Sequence, residues 1–282
     1  MRLILNGDDF GLTSGVNQGV VRAFQGGLLT SASLMANGEA AEEAISLARA
    51  NPGLDMGVHL ALCDEHPLLP PSELPSILPS GGRFPSRGHV LRAIGSGSID
   101  YGEVEAEWRA QVERVLEAGV RLSHLDSHQY VHLLPGLWKV CLNLAKTYRI
   151  PFIRAWVADP GSRGIPFRRL VQWLGIRLWT RAVVPRFTPP NVQVLPSVGF
   201  WASGGRLNQK TLFHLLDALR TRHDPPAVEV VLHPGIGDDH TTSAYQWWGY
   251  DWKRDLDLLT EASLKEELAL RDMTPGTFWD AL

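Results

Sequence analysis

A chain of 282 residues, 44% hydrophobic and with a mean hydropathy of -0.07, is long enough to bury a full core and too polar to live within a bilayer. Its net charge of -3 and pI near 6.4 lack the basic footprint of a nucleic-acid-binding domain, so no nucleic acid partner is expected. Cys63 and Cys141 are too few for a disulfide framework and lack zinc-knuckle spacing; both read as buried thiols.

The chain starts Met-Arg and enters a strand at once, with no apolar segment long enough for a signal peptide or a membrane span; a cytoplasmic protein is expected. Strands are predicted at 2–6, 30–35, 56–62, 122–126, 151–155, 192–195 and 228–232. Helices are predicted between them at 15–25, 39–50, 102–118, 136–148, 166–183 and 208–222, with a terminal helix near 254–270. Strand then helix, repeated, means parallel pairing, and seven such units fit an irregular, TIM-like (β/α) barrel in one domain spanning 1–282. One insertion at 64–100, rich in Pro, Gly and Ser, breaks the rhythm and reads as a substrate cover or a plain surface loop.

Asp8 and Asp9 follow the apolar run Leu3-Ile4-Leu5, which puts two like charges at the carboxyl end of the first strand. They ask for a cation, or they cap the helix that opens near Ser14. His59 ends the strand Met56–Leu62. The run Ser123-His124-Leu125-Asp126-Ser127-His128-Gln129-Tyr130-Val131-His132 holds three histidines and an aspartate at another strand end. Finally, Val228–Leu232 runs into His233-Pro234-Gly235. Each of these has a structural reading, a satisfied core histidine or a loop cap. In a barrel, however, all four strand ends converge on one face. One carboxylate and two neutral imidazoles form a platform that leaves a divalent cation open to water and substrate. A spare carboxylate beside it can take a proton, and a histidine opposite can give one; that is the plan of a hydrolase.

Asn6-Gly7-Asp8-Asp9-Phe10-Gly11, Gly57-Val58-His59-Leu60, His124-Leu125-Asp126-Ser127-His128 and Leu232-His233-Pro234-Gly235 resemble, in order, the motifs of the YdjC-like carbohydrate deacetylases, a family with chitooligosaccharide-specific and hopanoid-associated members. The resemblance runs from residue 3 to about 270. It implies an irregular (β/α) barrel related to polysaccharide deacetylases. It also implies Asp9, His59 and His128 as ligands of one divalent metal ion, zinc or magnesium, with Asp8 as general base, His233 as general acid and Arg154 as the partner of the base. The implied reaction removes acetyl from an N-acetylated amino sugar, chitooligosaccharide-like or glycolipid-linked, releasing acetate. Two positions depart from the family pattern: Tyr130 stands where a further histidine is frequent, and Gly7 where alanine is frequent.

Ten tryptophans are many for this length, and sugar rings stack on such faces. Trp156 and Trp201 are the stacking candidates, with Asp126 and His132 as further substrate contacts; Trp247-Trp248 lie in an aromatic segment with Tyr245, Tyr250 and Trp252. Residues 160–216 carry seven arginines and one lysine but no acid. The helix in that segment is apolar nearly all round, which favours burial on the barrel or a homodimer contact over a membrane surface. Two other functions fit some of these features: a metal-binding barrel acting as a sugar-binding or regulatory module without turnover, and a metal-dependent phosphoesterase. The first leaves Asp8 and His233 without a task, and the second wants a second metal or more cationic residues.

Overall fold

The computed structural model describes residues 1–78, 82–157, 167–182, 184–200 and 207–282. Nine strands form one sheet: β1 (Arg2–Phe10), β2 (Ser31–Leu34), β3 (Asp55–Leu60), β4 (Leu122–Ser127), β5 (Phe152–Ile153), β6 (Trp156–Val157), β7 (Pro196–Val198), β8 (Ala227–Leu232) and β9 (Thr274–Pro275). They are ordered β5-β4-β3-β2-β1-β8-β7-β6, with β9 beside β1, and every pairing is parallel. The sheet curls until its ends meet, because β5 and β6 are two halves of one segment and Phe152 bridges to Gln193 just before β7. Eleven α-helices accompany the described strands: α1 (Ser14–Gln25), α2 (Ala41–Ala50), α3 (Arg87–Ser96), α4 (Tyr101–Glu117), α5 (Leu137–Tyr148), α6 (Phe167–Ala182), α7 (Val184–Phe187), α8 (Gln209–His223), α9 (Asp239–Tyr245), α10 (Trp252–Thr260) and α11 (Ala262–Leu270).

Local chemistry explains these elements. Leu3, Ile4 and Leu5 are all buried, as a parallel strand covered on both faces requires. Thr13 caps α1 by accepting from the Val16 N–H at 3.3 Å, and Asp100, Asn208, Asp238 and Asp251 cap α4, α8, α9 and α10 in the same manner. A Cβ on Gly19 would come within 2.3 Å of the Gly235 backbone, so the glycine lets α1 lie directly against the loop that carries His233.

The barrel-like parallel sheet is the expected architecture, but four details differ from the sequence reading. Strand 151–155 is split at Arg154-Ala155, because the Arg154 carbonyl accepts from His132 Nε2 at 2.6 Å instead of joining a ladder. The strand expected at 192–195 pairs as Pro196–Val198. The terminal helix is two helices, broken at Glu261, whose φ/ψ of -66/120° is extended. The insertion contains α3, and its base is pinned to α4 by buried Glu107, which accepts from the Leu68 and Leu69 N–H groups at 3.0 and 2.9 Å. Among the described residues no helix is long and apolar enough to cross a membrane.

Candidate active site

Five strand ends build the site. Asp8 and Asp9 come from β1, His59 from β3, Asp126 and Ser127 from β4, Arg154 from just after β5, and His233 from the first position after β8. Successive side chains of a regular strand point to opposite faces, which would separate Asp8 from Asp9. The β1–β2 register shifts between Gly7 and Phe10, and Asp9 has φ 64°, a left-handed conformation that is costly for a non-glycine residue. This bulge re-aims the pair so that both carboxylates serve one site.

Asp9 Oδ1 lies 3.3 Å from His59 Nε2 and 3.2 Å from His128 Nδ1, while Asp9 Oδ2 lies 3.9 Å from His233 Nε2. Asp9 Oδ2 is buried without a hydrogen-bond partner among the described residues. Burial works against the Asp9 charge, but hydrogen bonds from His128 and His59 hold the carboxyl well below the usual range. The potential ligand atoms of Asp9, His59 and His128 lie within 4.8 Å of one another. An acceptor with no donor and two converging imidazole nitrogens fit a divalent cation, so this buried cluster could hold a metal ion. Asp8, His59 and Asp126 form a second close group. Its two carboxylates already share the Arg154 guanidinium at 2.7 and 2.6 Å, so its cation is part of the chain.

Arg154 is fully buried and touches three carboxylates. It grips Asp8 in a fork, Nη1 to Oδ2 and Nη2 to Oδ1, both at 2.7 Å, and also reaches Asp126 at 2.6 Å and Glu229 at 2.6 Å. Burial opposes the Arg154 charge, yet Asp126, Asp8 and Glu229 hold it well above its ordinary pKa. Burial pushes Glu229 up to about 7 even beside the guanidinium. Asp126 Oδ1 accepts from His59 Nδ1 at 2.8 Å, which presents His59 Nε2 toward Asp9. Burial would hold His59 neutral, but the Asp126 and Asp8 charges raise it from 6.5 to about 10. His233 is lowered by burial, a shift that Asp9 and Asp8 only partly offset. Its backbone N–H donates to Asp255 Oδ2 at 2.9 Å, and burial raises Asp255 to about 7.

A cavity of about 210 Å³ opens over this floor, lined by Asp8, His59, His128 and His233. One wall is Tyr130 against Phe200, with ring centroids 5.0 Å apart; another is Trp248, 4.5 Å from the His128 ring, with Tyr250, 4.4 Å from the His233 ring. Arg87 enters the cavity lining from the first residue of α3. Its Nε has no hydrogen-bond partner among the described residues, and burial lowers its pKa.

The structure therefore gathers Asp8, Asp9, His59, His128, Arg154 and His233. Asp126 and His132, expected to meet substrate, instead lie outside the cavity lining and fully buried. Asp126 is occupied by His59, Ser33 and Arg154. His132 Nε2 donates to the Arg154 carbonyl, Nδ1 faces Ser127 Oγ at 2.5 Å, and burial lowers the ring to about 4. His124 is likewise enclosed between Ser123 and Ser33, stacked on Phe278 at 4.1 Å, in a slot that any Cβ on Gly57 would fill. Trp156 opens β6 with only its backbone described, and Trp201 lies outside the described residues. Sequence reasoning passed over Glu229 and Arg87. Glu229 carried a signal, a lone charge inside the apolar strand Ala227–Leu232, whereas Arg87 had none in its Pro/Gly/Ser-rich surroundings.

The chain resembles known proteins along nearly its whole length. It is 31% identical over 270 residues to a carbohydrate deacetylase of Brevibacillus brevis, covering 94% of both chains. It is 30% identical over 289 residues to a chitooligosaccharide deacetylase of Salmonella paratyphi B, covering 99% of this chain and 98% of the relative. A crystal structure from Enterococcus faecalis, provisionally named a cellobiose-phosphate cleavage protein, superposes with a TM-score of 0.76 at 28% identity over 99% of this chain and 98% of that one. Residues 2–270 match the model of the YdjC-like protein family, and the chain belongs to that family.

Proposed function

We propose that this protein is a metal-dependent carbohydrate N-deacetylase, which hydrolyses the acetamide of an N-acetylated amino sugar to acetate and a free amine. One arrangement carries the reading: a buried Asp9–His59–His128 cluster whose two histidines line a cavity together with Asp8 and His233. The named activities of the two deacetylase relatives support it.

Asp9, His59 and His128 would hold the cation, and Asp126 fixes the ring of His59 for that task. A divalent ion held there supplies a Lewis acid for the acetyl carbonyl and makes a nearby water more acidic; two imidazoles favour zinc or another transition metal over magnesium. Asp8 takes a proton from the attacking water. Arg154 and Asn6, whose Nδ2 donates to Asp8 Oδ1 at 2.8 Å, hold that carboxylate in one orientation. His233 Nε2 delivers a proton to the departing amine nitrogen, and its burial makes it a ready donor once protonated. Asp8 then returns its proton to solvent while His233 regains one. Trp248, Tyr250, Tyr130 and Phe200 offer ring faces to the sugar, and the donors of Arg87 meet its oxygens.

The test is acetate release from N-acetylglucosamine oligomers and N-acetylated glycolipids, with and without chelator, beside a panel of phosphoesters. Acetate with an equal yield of free amine, lost with chelator and restored by metal, is the expected result. Phosphate release without acetate, or acetate release indifferent to chelator, refutes the reading.

A further inference from the structure

The described part of α6 is buried on one side only, at Ile176 and Thr180. Leu174 and Leu178 are 45% and 68% exposed, and Phe187 on α7 is 63% exposed. Leu174, Leu178 and the exposed Ala182 recur every four residues and so form one stripe, with Arg181 beside it. Exposed apolar side chains set in a helical row and edged by cations are unusual on a surface that meets only water.

The same face holds a second opening. Between α5 and α6–α7 lies a cavity of about 390 Å³ lined by Trp138, Leu142, Trp179 and Phe187, with Lys139 and Lys146 at its edge. Trp138 is 2% exposed, yet neither its Nε1 nor that of Trp179 finds a hydrogen-bond partner among the described residues. The lining is mostly aromatic and aliphatic, which suits an apolar body such as an acyl chain.

Charge identifies the occupant. Residues 127–216 contain twelve Lys and Arg but a single acid, Asp159, although the chain as a whole carries -3. Arg154 is buried in the active site, so most of this excess belongs to the segment that carries α5, α6 and α7. Apolar side chains projecting between cations, on a chain in which no described helix can span a bilayer, match a surface that rests on anionic lipid.

We propose that α6, α7 and the outer face of α5 form a peripheral docking surface for an anionic lipid bilayer. Leu174, Leu178 and Phe187 enter the interfacial region, Lys139, Lys146, Arg181 and Arg186 meet the headgroups, and the cavity between α5 and α6 receives part of one lipid. The docking surface stands independently of the chemistry assigned to the pocket.

Co-sedimentation of the full-length protein with vesicles tests it, comparing phosphatidylcholine alone with phosphatidylcholine containing about a third phosphatidylglycerol. Binding is expected to the anionic vesicles at about 0.1 M salt and to fall steeply at about 0.5 M. Arg181→Gln with Arg186→Gln should weaken it by roughly fivefold per charge. Leu178→Gln with Phe187→Gln should weaken it at least about tenfold through lost apolar burial. All four positions are exposed, so each variant should unfold within about 2 °C of the wild type. No sedimentation with anionic vesicles, equal binding to neutral ones, or unchanged binding by both variants overturns the proposal. So does a wild-type dimer in the absence of vesicles that the apolar double variant turns into a monomer, because the face would then join two copies of the chain.

Discussion

The floor and the mouth of the pocket are built on opposite principles. On the floor every strand end contributes a charged or polar group, and each is held by several others: Arg154 alone joins Asp8, Asp126 and Glu229, and Asp126 in turn holds His59 and Ser33. At the mouth, Arg87, Phe200, Trp248 and Tyr250 come from an insertion helix and loops, meet mostly through ring contacts, and leave Arg87 Nε and Trp248 Nε1 without partners among the described residues. Rigid strand ends can fix proton-transfer geometry to a fraction of an ångström, while loops supply surfaces that can be exchanged without disturbing the sheet. On the proposed function, the chemistry belongs to the floor and recognition to the mouth.

Mutations can break that division or sharpen it. The largest effect is expected at the floor: Asp8→Asn should lower kcat by about 10²–10⁴-fold or more while metal content, measured by elemental analysis, stays close to wild type. His128→Ala should lose the metal along with the activity. Normal turnover by either variant on a substrate of the wild type would remove the floor from the chemistry.

Arg154→Met should come next, because it leaves Asp8, Asp126 and Glu229 buried together without their cation. A loss of about 3–5 kcal/mol is expected in denaturant unfolding at neutral pH, smaller in acid where the carboxylates protonate. A fully stable Arg154→Met protein would mean that the network is not what holds these strand ends. At the mouth, Trp248→Ala should raise KM about fivefold to tenfold with kcat nearly unchanged, the size of one lost aromatic contact. An equal fall in kcat would move Trp248 from recognition to the chemical step.

Asp255→Asn is expected to have the smallest effect. Burial raises the Asp255 carboxyl from 3.8 to about 7, so between those values the native protein holds a proton that the unfolded chain releases. The associated stability is fully present below pH 4 and is lost as the pH rises through 7. The asparagine keeps an acceptor for the His233 N–H and removes the titration. Thermal unfolding should therefore show a gain on the order of 1 kcal/mol at pH 8 and none at pH 4.

Much of this site is legible in the chain. A carboxylate pair after an apolar strand, and histidines closing three others, can be read from local sequence because strand ends are local features. The helices α1, α2, α4, α5 and α8 fall within two residues of their predicted bounds, since caps and apolar periodicity lie in the same short windows. Partnership was less visible. Asp126 and His132 share a motif with His128, yet one orients His59 and the other holds the Arg154 carbonyl, because Gln129 and Tyr130 turn the chain with φ of 54° and 57°. Arg87 and Glu229 reach the site from elements 142 positions apart in sequence, a closeness that no local window contains.

The sequence by itself determined the alternation of strands and helices, and with it a parallel, barrel-like sheet whose carboxyl ends carry acids and imidazoles. It also set the excess of positive charge along residues 127–216. Tertiary structure alone decided that Asp8 and Asp9 share one site, through a bulge that breaks strand alternation, and that Asp8 is gripped by a buried arginine 146 positions away. It also decided that Leu178 and Phe187 face outward. The physical reason is common to all three. Composition and periodicity say which residues seek burial or a counter-charge, but the partner that satisfies each of them is chosen by how distant segments pack.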